Sequence, residues 1–66
     1  MNLGDFINEL KHKSIFLNIF ENGKIWFIGS MGELIHAVVY SKIINYKIDK
    51  IECIPTATLN IFIKEK

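Results

Sequence analysis

The chain has 66 residues, of which half are hydrophobic, and its eight lysines and seven acidic residues leave a net charge of +1. This length predicts a single domain, residues 1–66, and the lone cysteine, Cys53, excludes the intrachain disulfide that stabilises many small domains. The balanced charge and the lack of arginine argue against a protein held mainly by a phosphate backbone, and no apolar run approaches the roughly 18 residues of a membrane span.

An amphipathic helix is predicted at the start of the chain. Leu3, Phe6, Ile7 and Leu10 recur at helical spacing, and Asn2 is placed to cap the first turn. The opening residues lack the basic and apolar regions of a signal peptide. We therefore expect a soluble, cytoplasmic protein.

A β-hairpin is predicted next. Residues 14–21 and 24–29 are rich in β-forming types, and Asn22-Gly23 between them favours a two-residue type I′ turn. The register expected from this turn pairs Glu21 with Lys24, Phe20 with Ile25, Ile19 with Trp26, Asn18 with Phe27 and Leu17 with Ile28.

The second half of the chain predicts one helix and two strands. Residues 30–33 form a capping-box pattern that begins a helix, and we expect this helix to end near residues 41–42. Residues 46–54 and 58–64 read as strands separated by Pro55-Thr56-Ala57. The order α-β-β-α-β-β predicts an α+β fold, a four-stranded antiparallel sheet with two helices on one face. We recognise no internal repeat, linker or low-complexity segment.

Alternation divides the predicted strands into two faces. We expect one set of side chains to form the core beneath the helices: Ile15, Leu17, Ile19, Trp26, Ile28, Leu59, Ile61 and Ile63. The other set is the candidate interaction site: Phe16, Asn18, Phe20, Ile25, Phe27, Asn60 and Phe62. The solvated face of an antiparallel sheet is normally polar, so an apolar one indicates an interaction surface.

Three roles fit this second face. The first is an interface between copies of the chain, because a domain this small often needs a partner subunit. The second is a surface for another protein complex or for a small signalling molecule. The third is a stacking platform for single-stranded nucleic acid, which the lack of arginine disfavours. The remaining alternative is an error in the assumed register.

The sequence shows no recognisable catalytic constellation. Glu33 and His36 are three residues apart on the second predicted helix, but one such pair does not make a carboxylate-histidine metal site. We expect His12 to complement the end of the first helix and Cys53 to be a small buried residue within a strand. Accordingly we expect no catalytic residue, no metal, no cofactor and no enzymatic activity.

Three segments carry a resemblance to known proteins: residues 3–10, the strand-turn-strand centred on Asn22-Gly23, and residues 47–51 followed by 59–63. Their layout resembles small proteins encoded by phages and mobile elements of low-GC Gram-positive bacteria. Some of these are anti-CRISPR or other anti-defence inhibitors, which act stoichiometrically by binding a host complex or sequestering a signal molecule. The resemblance implies a binder and supplies no functional residues. A second analogy, to the four-stranded single-stranded-DNA-binding coactivator fold, is weakened by the helix between the strand pairs.

Overall fold

The computed structural model describes residues 1–10, 14–55 and 57–65, which form elements in the order α-β-β-α-α-β-β. The helices are α1 (Leu3–Glu9), α2 (Met31–Leu34) and α3 (Val38–Ile43), and the strands are β1 (Phe16–Glu21), β2 (Lys24–Ser30), β3 (Lys47–Ile54) and β4 (Thr58–Lys64). The α+β class with a four-stranded sheet is confirmed. Among the helices of these residues, none has the length and apolar character needed to cross a bilayer.

Helix α1 begins at a capping box, as its sequence predicts. The Asn2 side chain accepts a hydrogen bond of 2.8 Å from the backbone N–H of Asp5, and the Asp5 carboxylate accepts one from the N–H of Asn2. Gly4 lets the helix approach the segment after α3, because a Cβ at this position would lie 2.7 Å from Cγ1 of Ile44. The Gly4 N–H donates to the carbonyl of Ile44 at this contact, over 2.9 Å.

The predicted second helix is two short helices, so the prediction of one continuous helix is wrong. Ser30 caps α2 as expected, because its hydroxyl accepts a hydrogen bond of 3.2 Å from the N–H of Glu33. The chain then becomes extended at Ala37, with φ −82° and ψ 140°, before α3 begins. This break turns the chain so that Leu34 and Ile43 are both fully buried.

The sheet is mixed, which corrects the prediction of a fully antiparallel sheet. Its strand order is β2-β1-β4-β3, with antiparallel pairs β1–β2 and β3–β4 and a parallel pair β1–β4 at the centre. Each hairpin is specified by its own turn, whereas the pairing between hairpins depends on residues about 42 positions apart. Turn residues therefore predict the two hairpins but do not predict the pairing of β1 with β4.

A repeated tetrapeptide accounts for the central pair. Leu-Asn-Ile-Phe occurs at residues 17–20 and again at 59–62, and the two copies lie side by side in register. Leu17 pairs with Leu59, Asn18 with Asn60, Ile19 with Ile61 and Phe20 with Phe62. Identical residues aligned in parallel strands form side-chain ladders that favour this register. The expectation of no internal repeat is therefore wrong, and this repeat is the sequence signal for the parallel pair.

A β-bulge changes the register of the first hairpin. Glu21 pairs with Lys24 and Phe20 with Ile25 as predicted, but a register shift follows between Ile19 and Phe20. Ile19 then pairs with Phe27, Asn18 with Ile28 and Leu17 with Gly29, which corrects the three remaining predicted pairs.

The bulge brings two adjacent aromatic residues, Trp26 and Phe27, against the core. The Phe27 ring lies close to Gly29, where a Cβ would come within 2.9 Å of Cζ. Trp26 is confirmed beside the core, and its Nε1 donates a hydrogen bond of 2.9 Å to Oε1 of Glu21. Ile28, predicted in the core, is instead 65% exposed. Phe27 and Ile28 have thus exchanged the places that unbroken alternation predicts.

The core joins all three helices to the two central strands. Its buried members are Leu3, Ile7, Met31, Leu34 and Ile43 from the helices, and Leu17, Ile19, Ile61 and Ile63 from β1 and β4. Ile15, Leu59 and Trp26 pack against this cluster. The predicted strand core is therefore confirmed except for Ile28.

Candidate functional site

The face of the sheet opposite the core cluster carries accessible apolar side chains. We call it the open face and define it by seven residues: Phe16, Asn18, Phe20, Ile25, Ile28, Asn60 and Phe62. Phe16 and Ile25 are each 54% exposed and Ile28 is 65% exposed, whereas Leu17 and Ile19 on the other side of β1 are fully buried. Six of the seven predicted site residues lie here, and Ile28 takes the place predicted for Phe27.

Sequence reasoning missed Ile28 because it assumed an uninterrupted strand. Gly29 was the available signal, since a glycine inside a strand often marks a bulge or a close approach of another group. Two bulky neighbours, Trp26 and Phe27, gave a second signal, because strict alternation would expose one of them.

Two phenylalanines of the open face form a preassembled pair. The Phe20 and Phe62 rings stack with their centroids 5.3 Å apart and their planes 24° apart. The Nζ atom of Lys50 lies 4.7 Å from the centroid of the Phe62 ring. The Phe20 and Phe62 rings partly cover each other. Phe16, by contrast, has more than half of its surface accessible.

Two asparagines lie between the aromatic residues. Asn18 and Asn60 face each other across the parallel pair, and Nδ2 of Asn18 donates a hydrogen bond of 2.9 Å to Oδ1 of Asn60. Both side chains are partly buried. The bond is a direct consequence of the in-register repeat, because it joins the same residue of the two tetrapeptides.

Charged residues are concentrated at the β3 margin of the open face. The Nζ atom of Lys50 lies 3.4 Å from Oε2 of Glu52. The Nζ atom of Lys64 lies 3.4 Å from Oδ1 of Asp49. These side chains are about half exposed or more, so each ion pair contributes little to stability. Lys50 pairs with Phe62 and Glu52 with Asn60 across the strands, which places both charges beside the apolar centre.

Glu33 caps the start of α2. Its Oε1 accepts hydrogen bonds of 3.1 Å from both the N–H and the hydroxyl of Ser30. These two bonds, the backbone one above all, lower the pKa of the Glu33 carboxyl. Within residues 1–10, 14–55 and 57–65, no three His, Cys, Asp or Glu side chains are grouped as a metal site would require. The expectation for His12 lies outside the described residues.

Cys53 is exposed, so the expectation of a buried cysteine is wrong. It lies near the end of the edge strand β3, beyond the core cluster. An open apolar groove of about 640 Å³ adjoins it, lined by Ser14, Ile15, Cys53, Ile54, Pro55, Ala57, Thr58 and Leu59. The groove lies at the end of the sheet where β1 and β4 begin.

A smaller depression of about 250 Å³ is lined by Lys42, Asn45, Tyr46 and Glu65. The Tyr46 hydroxyl donates a hydrogen bond of 3.3 Å to Oε2 of Glu65. Desolvation and the nearby carboxylates of Glu65 and Glu21 raise the pKa of Tyr46. This hydrogen bond links Glu65 to the connection between α3 and β3.

Among the described residues, three of the six exposed large hydrophobic side chains lie on the open face: Phe16, Ile25 and Ile28. Comparisons with protein-family models, with curated proteins and with solved structures found no match for this chain.

Proposed function

We propose that this chain is a non-catalytic interaction protein that associates with a second copy of itself through the open face. The observation that carries the proposal is the exposure of three large apolar side chains, Phe16, Ile25 and Ile28, on the face that also carries the stacked Phe20–Phe62 pair. Contiguous apolar surface of this kind marks interaction sites, and covering it is favourable by roughly 25 cal/mol per Å². In this proposal all three helices cover the core face, which leaves the open face for the second copy.

The size of the chain favours a second copy as the occupant. Four strands about 4.8 Å apart and about six residues long make a face of roughly 20 by 20 Å. Covering that face on two copies removes on the order of 1,000 Å² of accessible surface, which is at the lower end of specific interfaces. A 66-residue chain buries few residues by itself and gains most from such a partner.

The charges are also compatible with self-association. A net charge of +1 per chain produces little repulsion between two copies. The β3 margin carries both signs, with Lys50 beside Glu52 and Lys64 beside Asp49. The β3 margins of two copies can therefore place lysines opposite acidic residues. Margins that carried charges of one sign would repel each other.

A narrower role follows from the resemblance to phage and mobile-element proteins. We propose that the assembled protein acts in the cytoplasm of a bacterial host as a stoichiometric anti-defence inhibitor, of the anti-CRISPR kind, or as a sequestering binder. Its target would be a host protein complex or a small signalling molecule. Expression of the chain in hosts that carry individual defence systems should raise phage plating efficiency for one of them. Unchanged plating in every such host would contradict this role.

A second candidate function is binding of single-stranded nucleic acid on the same face. The observation in its favour is the exposed Phe16 ring together with Lys50 above the Phe62 ring, since bases stack on aromatics and lysines contact phosphates. The acids beside the lysines and the lack of arginine count against it. Retention on single-stranded DNA that falls steeply with salt would favour this function over self-association.

The decisive experiment compares charge substitutions on the two sides of β1. Sedimentation velocity should give a mass near twice 7.7 kDa for the wild type and near 7.7 kDa for Phe16→Lys with Ile28→Lys. Circular dichroism should show that this variant is folded, because lysine is well solvated on an exposed face. Leu17→Lys, one residue away but fully buried, should unfold the chain.

Val38→Lys is the matched surface control, since Val38 is 77% exposed on α3 and lies outside the open face. This variant should keep the mass of the wild type. A folded double variant of unchanged mass would show that the open face does not hold the subunits together. A wild type that stays monomeric at micromolar concentration would overturn the self-association proposal.

A further inference from the structure

The asparagine pair occupies the middle of the open face. Asn18 lies between Phe16 and Phe20 along β1, and Phe62 stands two residues after Asn60 along β4. The pair is therefore a polar feature that Phe16, Phe20 and Phe62 flank along the strands. If two copies cover this face, the pair becomes buried between them.

The hydrogen bonds of the pair leave part of each amide unused. A carboxamide has two N–H donors and an oxygen that accepts twice, and the bond between the pair uses one donor of Asn18 and one lone pair of Asn60. In the part of the chain that the structure describes, Oδ1 of Asn18 and Nδ2 of Asn60 have no protein partner. Glu52, the cross-strand neighbour of Asn60, is instead paired with Lys50. The pair presents an acceptor and donors side by side, which makes it complementary to itself.

We propose that the Asn18–Asn60 pair sets the register in which two copies associate, by hydrogen-bonding to the same pair of the second copy. This inference rests on the proposed function. A two-fold arrangement that brings the pairs together matches unused donors with unused acceptors in both directions. A register that instead sets these groups against apolar side chains leaves them without hydrogen bonds, which is unfavourable. A single asparagine selects register in coiled coils by the same physical effect.

The proposal predicts different effects for removing one asparagine and for removing both. Asn60→Leu leaves the Asn18 amide buried without a partner and should raise the dimer dissociation constant about tenfold or more. Asn18→Leu with Asn60→Leu leaves no buried amide, so the affinity should return to within about tenfold of the wild type. The double variant should lose its single register, and its amide NMR spectrum should show more than one set of peaks for residues 16–20. One set of peaks from a double variant of wild-type affinity would overturn the proposal.

A measurement on the wild type decides the question even if the double variant does not fold. A dimer assembled from chains with two different isotope labels should show contacts between the Asn60 side-chain amide of one copy and Asn18 of the other. A dimer that lacks these contacts overturns the register role alone and leaves self-association standing. A wild type without any dimer overturns the self-association proposal together with this one.

Discussion

Positive backbone φ angles occur at three described positions, and the residues there tolerate them to different degrees. The values are 48° at Asn22, 81° at Gly23 and 56° at Ala57. Asparagine and glycine are the residues that adopt this region most readily, and they form the type I′ turn that the sequence predicts. Alanine pays a steric cost there, because its Cβ approaches the following carbonyl oxygen.

A reciprocal pair of substitutions tests this cost. Ala57→Gly should raise the free energy of unfolding by about 0.5–1 kcal/mol, because relief of the strain outweighs the extra entropy of the unfolded chain. Gly23→Ala should lower it by about 1 kcal/mol, and no steric clash adds to this value because a Cβ at Gly23 would meet no atom within 4 Å. Urea denaturation of both variants gives the two values. A loss of stability in Ala57→Gly would contradict the account of strain at Ala57.

Helix α2 shows how a short element depends on the contacts at its start. It has four residues, too few for a helix to be stable by itself, and a capping box joins Ser30 to Glu33. The sequence predicts this start correctly because the box is local and spans four residues. The end of the helix could not be predicted in the same way, since the extended residue Ala37 places Leu34 and Ile43 in a core that is assembled from distant strands.

The capping box predicts a pH dependence. The hydrogen bonds from Ser30 lower the pKa of Glu33 below its ordinary value of 4.5, so the folded state favours the ionised carboxyl. This stabilisation is present above pH 4.5 and is lost as the pH falls through the lowered folded value. The wild type should therefore be more stable than Glu33→Gln at pH 7, and the difference should shrink as the pH falls below 4.5. Urea denaturation at several pH values measures this difference.

Glu9→Gln is a suitable control for the pH series, because it removes one exposed carboxylate from α1 without touching the cap. It separates the loss of a negative charge from the loss of the cap. A difference between wild type and Glu33→Gln that is constant from pH 7 to pH 3 would show that the ionised carboxylate of Glu33 does not support α2.

The first hairpin marks the boundary between what local sequence predicts and what it does not. The pairs next to the turn, Glu21 with Lys24 and Phe20 with Ile25, follow from Asn22-Gly23. Beyond them the core decides the register, because a bulge lets Trp26 and Phe27 both pack against the buried cluster. Burial of a second large aromatic side chain outweighs the loss of regular pairing. Six of the seven candidate site residues lie on the open face, and the seventh is displaced by this single bulge.

At the scale of the whole molecule, the parallel central pair determines what the open face contains. Placing one Leu-Asn-Ile-Phe segment beside the other brings the asparagines into hydrogen-bonding distance and the phenylalanines into a stack. Turn residues and alternation carry no information on this pairing, whereas the identity of the two tetrapeptides does. The same alignment places Leu17, Ile19 and Ile61 in the core, so core and open face are built by one pairing.

Self-association through the open face predicts that thermal stability depends on protein concentration. If unfolding also separates the copies, dilution favours the unfolded chains by mass action. For a dimer of two 66-residue chains, a hundredfold dilution should lower the melting temperature by roughly 10 °C. Phe16→Lys with Ile28→Lys should melt at the same temperature at every concentration, because its folded state is a single chain. Thermal unfolding of the two proteins is followed by circular dichroism at protein concentrations from about 1 to about 100 μM. A wild-type melting temperature that is constant over this range would mean that the folded chain is stable without a second copy, which contradicts self-association through the open face.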